Sequence, residues 1–240
     1  MDNTLARRLV AEFIGTALLL VAVIGSGRIV TGIIRLNSIK TSTTDFKSIG
    51  LLQYADRFGG AFTVGLVLAV MVVVFGAVSG GHFNPAVSLC AFLFKGLSAT
   101  EFLGYFVAQV LGGIFGAFLA VYAATGSAPS NFGSKGTISA WLYVSEFVAT
   151  FVLVMVVHAS IRAGRAAFVP LALGGWVTVL AVFPQGLGNP AVAFGSIFSG
   201  KVGPSFVGAL VLVAVQLVAG VAAWAVTKFM YPQDASARAY

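Results

Sequence analysis

The side chains with chemistry to offer lie in a short motif that occurs twice. Residues 84–86 read Asn84-Pro85-Ala86, and residues 189–191 read Asn189-Pro190-Ala191. Asn is a preferred helix N-cap, and Pro fits the first helical position, where its missing N–H would have no partner anyway. Each triplet opens an apolar run, closed by Lys95 in one case and Lys201 in the other. A helix of that length is too short for a bilayer, which needs about 20 residues. A helix that starts at membrane depth is tolerated only where its end lines a cavity or packs on protein. Two such ends meeting would set amide N–H groups and two positive dipole ends at one polar point in an apolar wall. That arrangement binds and excludes; it does not break bonds.

The other reactive residue types point the same way. No nucleotide-binding loop, Ser/His/Asp set or metal-ligand cluster is visible, so no catalytic residue, metal site or cofactor is expected, and no enzyme. The single cysteine, Cys90, rules out an intrachain disulfide and reads as a buried thiol. Glu12 and Glu146 are acids inside apolar runs, where a proton-relay role must be weighed. Their matched placement fits a structural role better: accepting hydrogen bonds from the non-helical backbone before each triplet. Gln109 and Gln216 are expected to do the same, and His82, two residues before Asn84, to anchor its loop. His158 has no ligand partner in the sequence.

The elements that must position these residues follow from composition. Charged residues are 9% of 240 and apolar ones 59%, and mean hydropathy is +1.00. Soluble domains carry about 25% charged residues, so this is a polytopic membrane chain. Its net charge of +7 lies in loops and near span ends and implies no nucleic-acid partner. Long spans are expected over 6–26, 58–78, 100–123, 140–161, 167–183 and 204–229, with half-helices over 85–94 and 190–199. Glu12 inside the first run and the poor cleavage site at Gly25-Ser26-Gly27 argue for a retained span rather than a signal peptide. Residues 28–57 read as a long extramembrane polar loop with a helical turn near 49–54. Residues 125–138 read as a Gly/Ser/Pro-rich link, and 232–240 as a tail.

The chain repeats itself. Val10-Ala11-Glu12-Phe13-Ile14-Gly15-Thr16 matches Val144-Ser145-Glu146-Phe147-Val148-Ala149-Thr150. Gln109 matches Gln216, and Gly113 matches Gly220. One domain, 1–240, therefore divides into halves over 6–123 and 140–229, each built as span, span, half-helix, span. Three full spans per half make the second half enter from the opposite side. This is an all-α membrane protein with six spans and two re-entrant half-helices in an inverted repeat, and a solute path is expected where the halves meet.

Two Asn-Pro-Ala boxes at mirrored positions, with the paired Glu and Gln residues, resemble the major intrinsic protein family of aquaporins and aquaglyceroporins over about residues 6–229. The resemblance implies a homotetramer in the cell membrane with one narrow pore per subunit, passing water or small neutral solutes past lipid-facing helices. It implies cytoplasmic termini, which the balance of basic residues does not decide. Asn84 and Asn189 would offer N–H groups to solute at the pore midplane. Pro85, Ala86, Pro190 and Ala191 would shape and interlock the half-helix ends.

The chain departs from the family at the constriction. The family's usual Arg after the second triplet is Val192 here, followed by Ala193. The other constriction positions fall on Val64, on Gly186, and on either Val177 or Ala181. Without Arg, such a ring loses donors and widens, admitting larger neutral solutes unless Phe62, Trp176, Phe183 or Phe194 refill the space. The Val resembles a bacterial aquaglyceroporin subgroup associated with arsenic-resistance operons. It implies neutral metalloid hydroxides such as arsenite, or methylated arsenicals, beside glycerol-like polyols. A secondary active transporter on an inverted-repeat fold, and a closed structural protein of the same fold, remain open.

Overall fold

The computed structural model describes residues 3–40, 46–129, 132–133, 139–180, 186–200 and 203–232, and only the backbone of 27–40, 46–53 and 56 within them. Eight α-helices account for most of these: α1 (Leu5–Lys40), α2 (Phe46–Ser79), α3 (Pro85–Leu93), α4 (Ala99–Thr125), α5 (Ala140–Arg162), α6 (Val169–Val179), α7 (Pro190–Gly195) and α8 (Phe206–Met230). A 3₁₀ turn precedes α6 at Ala166–Phe168, and another follows α7 at Ser196–Ser199.

Five segments are long and apolar enough to cross a membrane: Leu5–Ser26, Arg57–Ser79, Ala99–Thr125, Ala140–Arg162 and Phe206–Met230. The remaining expected span falls on the shorter apolar stretch Ala166–Val179. The expected end of that span at 181–183 lies outside the described residues, as do half of the 125–138 link and all but the first residue of the 232–240 tail. The two half-helices start where their triplets predict. The second is shorter than expected as α-helix and ends in its 3₁₀ turn.

One expectation is corrected. Within 28–57, residues 28–40 continue α1 and 46–57 open α2, so both stretches are helix and not loop. Charged and hydroxyl residues suggested a loop, but this stretch contains no proline and only Gly32 and Gly50 as breakers. Polar side chains do not stop a helix that lacks such breakers. At 1.5 Å per residue α1 is about 54 Å long, well beyond the roughly 30 Å of a hydrocarbon core.

The packing repeats as the sequence does. α1 packs on α4, and α5 on α8. α4 holds α7, and α8 holds α3, so each outer helix supports the half-helix of the other half. α2 and α6 meet at the centre. Small residues permit these approaches. A Cβ on Gly116 would lie 2.2 Å from the Ala17 carbonyl oxygen, and one on Gly112 would lie 2.3 Å from that of Phe13. Helices in lipid associate through such close backbone packing rather than through the hydrophobic effect.

Gly116→Val should therefore separate α1 from α4, at a cost of about 1–3 kcal/mol or more. A lower thermal midpoint in detergent is expected. Gly175→Val, where an added Cβ meets nothing within 4 Å, should leave the midpoint unchanged.

Candidate functional site

Two stretches of non-helical backbone, 80–84 and 186–189, lie between the spans and the half-helices. Their peptide groups need partners because no lipid group can supply them. Glu12, fully buried, answers for the first stretch. Its Oε1 accepts from the Ser79 hydroxyl at 2.6 Å and the His82 N–H at 2.9 Å. Its Oε2 accepts from the Phe83 N–H and the Gln109 amide, both at 2.7 Å. Glu146 does the same for the second stretch. It accepts from the N–H groups of Leu187 at 2.8 Å and Gly188 at 3.0 Å, and from Gln216 at 2.8 Å. Both acids act as acceptors in every bond.

The triplets face each other. Asn84 and Asn189 have nearly identical N-cap backbones, with φ/ψ of −153/117 and −152/115. The Oδ1 of Asn84 caps the Ala86 N–H, and that of Asn189 caps the Ala191 and Val192 N–H groups. Each Nδ2 then crosses to the other half. Asn84 donates to the Gly188 carbonyl at 2.9 Å, and Asn189 donates to the Phe83 carbonyl at 2.8 Å. An amide carries two N–H donors, so each asparagine keeps one N–H beyond its cross-bond.

The residues that present those carbonyls share a left-handed backbone, with φ of 60 at Gly188 and 48 at Phe83. Glycine adopts it freely, whereas for phenylalanine it costs about 1–2 kcal/mol. Phe83 is held there by its N–H bond to Glu12 and its carbonyl bond from Asn189. Its ring is fully buried over Gly15, where an added Cβ would lie 2.1 Å from a ring carbon.

Two cavities lie beside the half-helix starts, and the asparagine pair lines one of them. The upper one, about 350 Å³, is lined by Asn84, Asn189, Val64, Val177, Gly186 and Val192, among others. Four of the five expected constriction residues thus share one wall; the fifth, Ala181, lies outside the described residues. The rest of that wall includes Leu19, Leu68, Leu153, Leu173, Leu180 and Leu187, together with Ser26 and Arg57. The lower cavity, about 600 Å³, is lined by residues 76–82, Val87, His158 and Leu173 and by Asn3 and Arg8 at its end. The two share His82, Val87 and Leu173, which stand between them.

His82 bonds through its N–H to Glu12 and through Nδ1 to the Ser88 hydroxyl at 3.0 Å. It also lines both cavities. His158 is turned to the half-helix, with Nε2 donating to the Val87 carbonyl at 3.1 Å. Cys90 is buried and free.

Three of the four aromatics that might have refilled the wall are elsewhere. Phe62 is exposed and stacks on Phe58. Phe194 packs with Phe198 and Phe206. Trp176 donates its indole N–H to the Ala149 carbonyl. Phe183 lies outside the described residues. The lining leucines and Arg57 were not anticipated, yet the signal was present: residues 57, 61, 64 and 68 fall on one helical face.

Comparison with known proteins gives a consistent picture. A family model described as major intrinsic protein matches residues 2–188. The chain is 34% identical over 197 residues to the aquaglyceroporin AqpS of Rhizobium meliloti, covering 81% of this chain and 77% of that protein. It is 30% identical over 207 residues to the aquaporin AqpM of Methanothermobacter marburgensis, covering 80% and 82%. The X-ray structure of the aquaglyceroporin from Plasmodium falciparum superposes with a TM-score of 0.69 over 95% of this chain and 98% of that one, at 19% identity.

The two carboxylates should not tolerate amidation equally. In Glu12→Gln one of two doubly used acceptors becomes a donor facing donors, with an expected loss of about 3 kcal/mol. In Glu146→Gln the retained oxygen can serve the Gly188 N–H and Gln216, so only the Leu187 N–H loses its acceptor. Thermal midpoints of the purified proteins should fall further for Glu12→Gln than for Glu146→Gln.

Proposed function

The chain belongs to the major intrinsic protein family, and we propose that it is a passive channel whose widened, Arg-less collar passes neutral solutes larger than water. Membership makes it an integral, multi-pass membrane channel for water or small solutes, not an enzyme. In our reading the path runs through both cavities. Asn84 and Asn189 form its midplane, interlocked by Pro85, Ala86, Pro190 and Ala191. Val64, Val177, Gly186 and Val192 form its constriction.

The observation that carries this reading is the upper wall. Val192, directly after the second triplet, and Val177 are buried against the cavity, and the half-buried Val64 and Gly186 line it with them. These residues bring neither a side-chain donor nor a charge. Solutes with acceptor oxygens and some apolar surface suit such a collar: glycerol-like polyols, neutral arsenite and methylated arsenicals. They exchange water for the free N–H groups of the asparagines, while the apolar wall accepts their carbon or methyl surface. The relative named as an aquaglyceroporin supports the same class.

We further assign cytoplasmic termini, so that the upper cavity faces outward, and a homotetramer with one path per subunit. Apolar residues exposed on α2 and α4, such as Leu66, Val73, Leu103 and Leu111, are suited to lipid or to neighbouring copies. The repeat halves 6–123 and 140–229 act as one domain in this scheme.

Stopped-flow light scattering on proteoliposomes tests the collar. The native chain should pass glycerol, urea and arsenite. Val192→Arg should cut glycerol flux about tenfold or more while water flux persists. A native chain that passes water alone would overturn the wide-pore reading.

A further inference from the structure

We propose that Arg57 is the charge filter of this channel, placed at the mouth of the upper cavity and not in its collar. The inference rests on the path proposed above. Arg57 lines the upper cavity together with Ser26, beyond Gly60, Ala61 and Val64 of the same α2 face. The Cα of Arg57 stands about 10 Å along the helix from that of Val64, seven residues at 1.5 Å each.

Among the described residues no carboxylate opposes its charge. Among the described residues the one ion pair joins Arg8 to Glu101, and the described carboxylates Glu12, Glu101 and Glu146 are all bonded elsewhere. Arg8, at the end of the lower cavity, is thus neutralised, whereas no described carboxylate pairs with Arg57. A guanidinium stays protonated at any working pH. An unpaired charge at the entrance of a cavity with low-dielectric walls focuses its field into that cavity. Cations are repelled before they reach the collar, and uncharged solutes are not. Size selection and charge selection, joined in one side chain where an arginine sits in the constriction, are here divided between an apolar collar and a basic mouth. Arg57 is thereby a specificity residue for uncharged, oxygen-bearing solutes.

Charged thiol reagents read the field directly. In a Cys90→Ala background, Val64→Cys is labelled with anionic, cationic and neutral methanethiosulfonates of similar size, in proteoliposomes. With Arg57 present the anionic reagent should react faster than the cationic one. Arg57→Gln should lower the anionic-to-cationic rate ratio about tenfold at low salt, Arg57→Glu should lower it further, and Arg57→Lys should preserve it. The differences should close near 1 M salt, where the screening length is about 3 Å.

The neutral reagent reports that each variant is folded and its cavity open. Equal ratios in all four proteins would overturn the assignment of Arg57 while leaving the flux result for Val192→Arg untouched. Failure of the neutral reagent to label Val64→Cys at all would mean that the cavity does not open past Arg57. That would overturn both the filter and the path.

Discussion

Everything here depends on one constraint: non-helical backbone cannot sit at membrane depth with its polar groups unpaired. Glu12 and Glu146 meet it by accepting the N–H groups of residues 82–83 and 187–188. Only because those stretches are held can each half-helix begin mid-membrane. Only because the half-helices begin there can two asparagine amides stand face to face. The outer helices complete the arrangement by crossing over, with α4 on α7 and α8 on α3. The halves are therefore joined by packing as well as by the asparagine cross-bonds.

The symmetry is imperfect in an informative way. Glu12 receives four donors and Glu146 three, because Ser79 adds a hydroxyl in the first half. The left-handed residue before the asparagine is Gly188 in one half and Phe83 in the other. The first half therefore carries more strain and more bonds to hold it. Its extra bonds extend outward: the Tyr105 hydroxyl donates to the Ser79 carbonyl, and Arg8 donates to Tyr105. His82 belongs to the same cluster through Glu12 and Ser88. This explains how a histidine can line both cavities while its Nδ1 and backbone N–H are fixed by neighbours.

Much of this was legible in the sequence, for physical reasons. Asn-Pro is a strong helix-start signal, and both half-helices begin where it stands. Acids in apolar runs are rare enough that the Glu12–Glu146 match exposed the repeat. What escaped was whatever a one-dimensional reading undervalues. Charged residues in 28–57 suggested a loop, although charge alone does not break a helix. The cross-bonds from Asn84 to Gly188 and from Asn189 to Phe83 join residues about a hundred positions apart, and no local pattern announces them. The six leucines of the upper wall come one each from α1, α2, α5 and α6, with Leu180 just past α6 and Leu187 from the stretch before α7. Each looks like any lipid-facing leucine until the helices are assembled.

The proposed division of labour follows from what each element can do. An apolar collar offers no hydrogen bond, so a solute crossing it must leave water with compensation only at the asparagine pair. For a small neutral molecule with a few oxygens that loss is modest. For a bare ion it is prohibitive, since moving a charge into low dielectric costs tens of kcal/mol before relaxation. Widening the collar weakens that barrier, because an ion can then carry part of its water shell with it. Cation exclusion in the wide pore we propose then falls to fixed charge: the positive ends of α3 and α7 at the midplane, and the Arg57 guanidinium at the mouth. Neither narrows the path. A channel that gives up the constriction arginine in order to pass larger neutral solutes would need its positive charge set back from the narrowest point, and Arg57 stands at such a place.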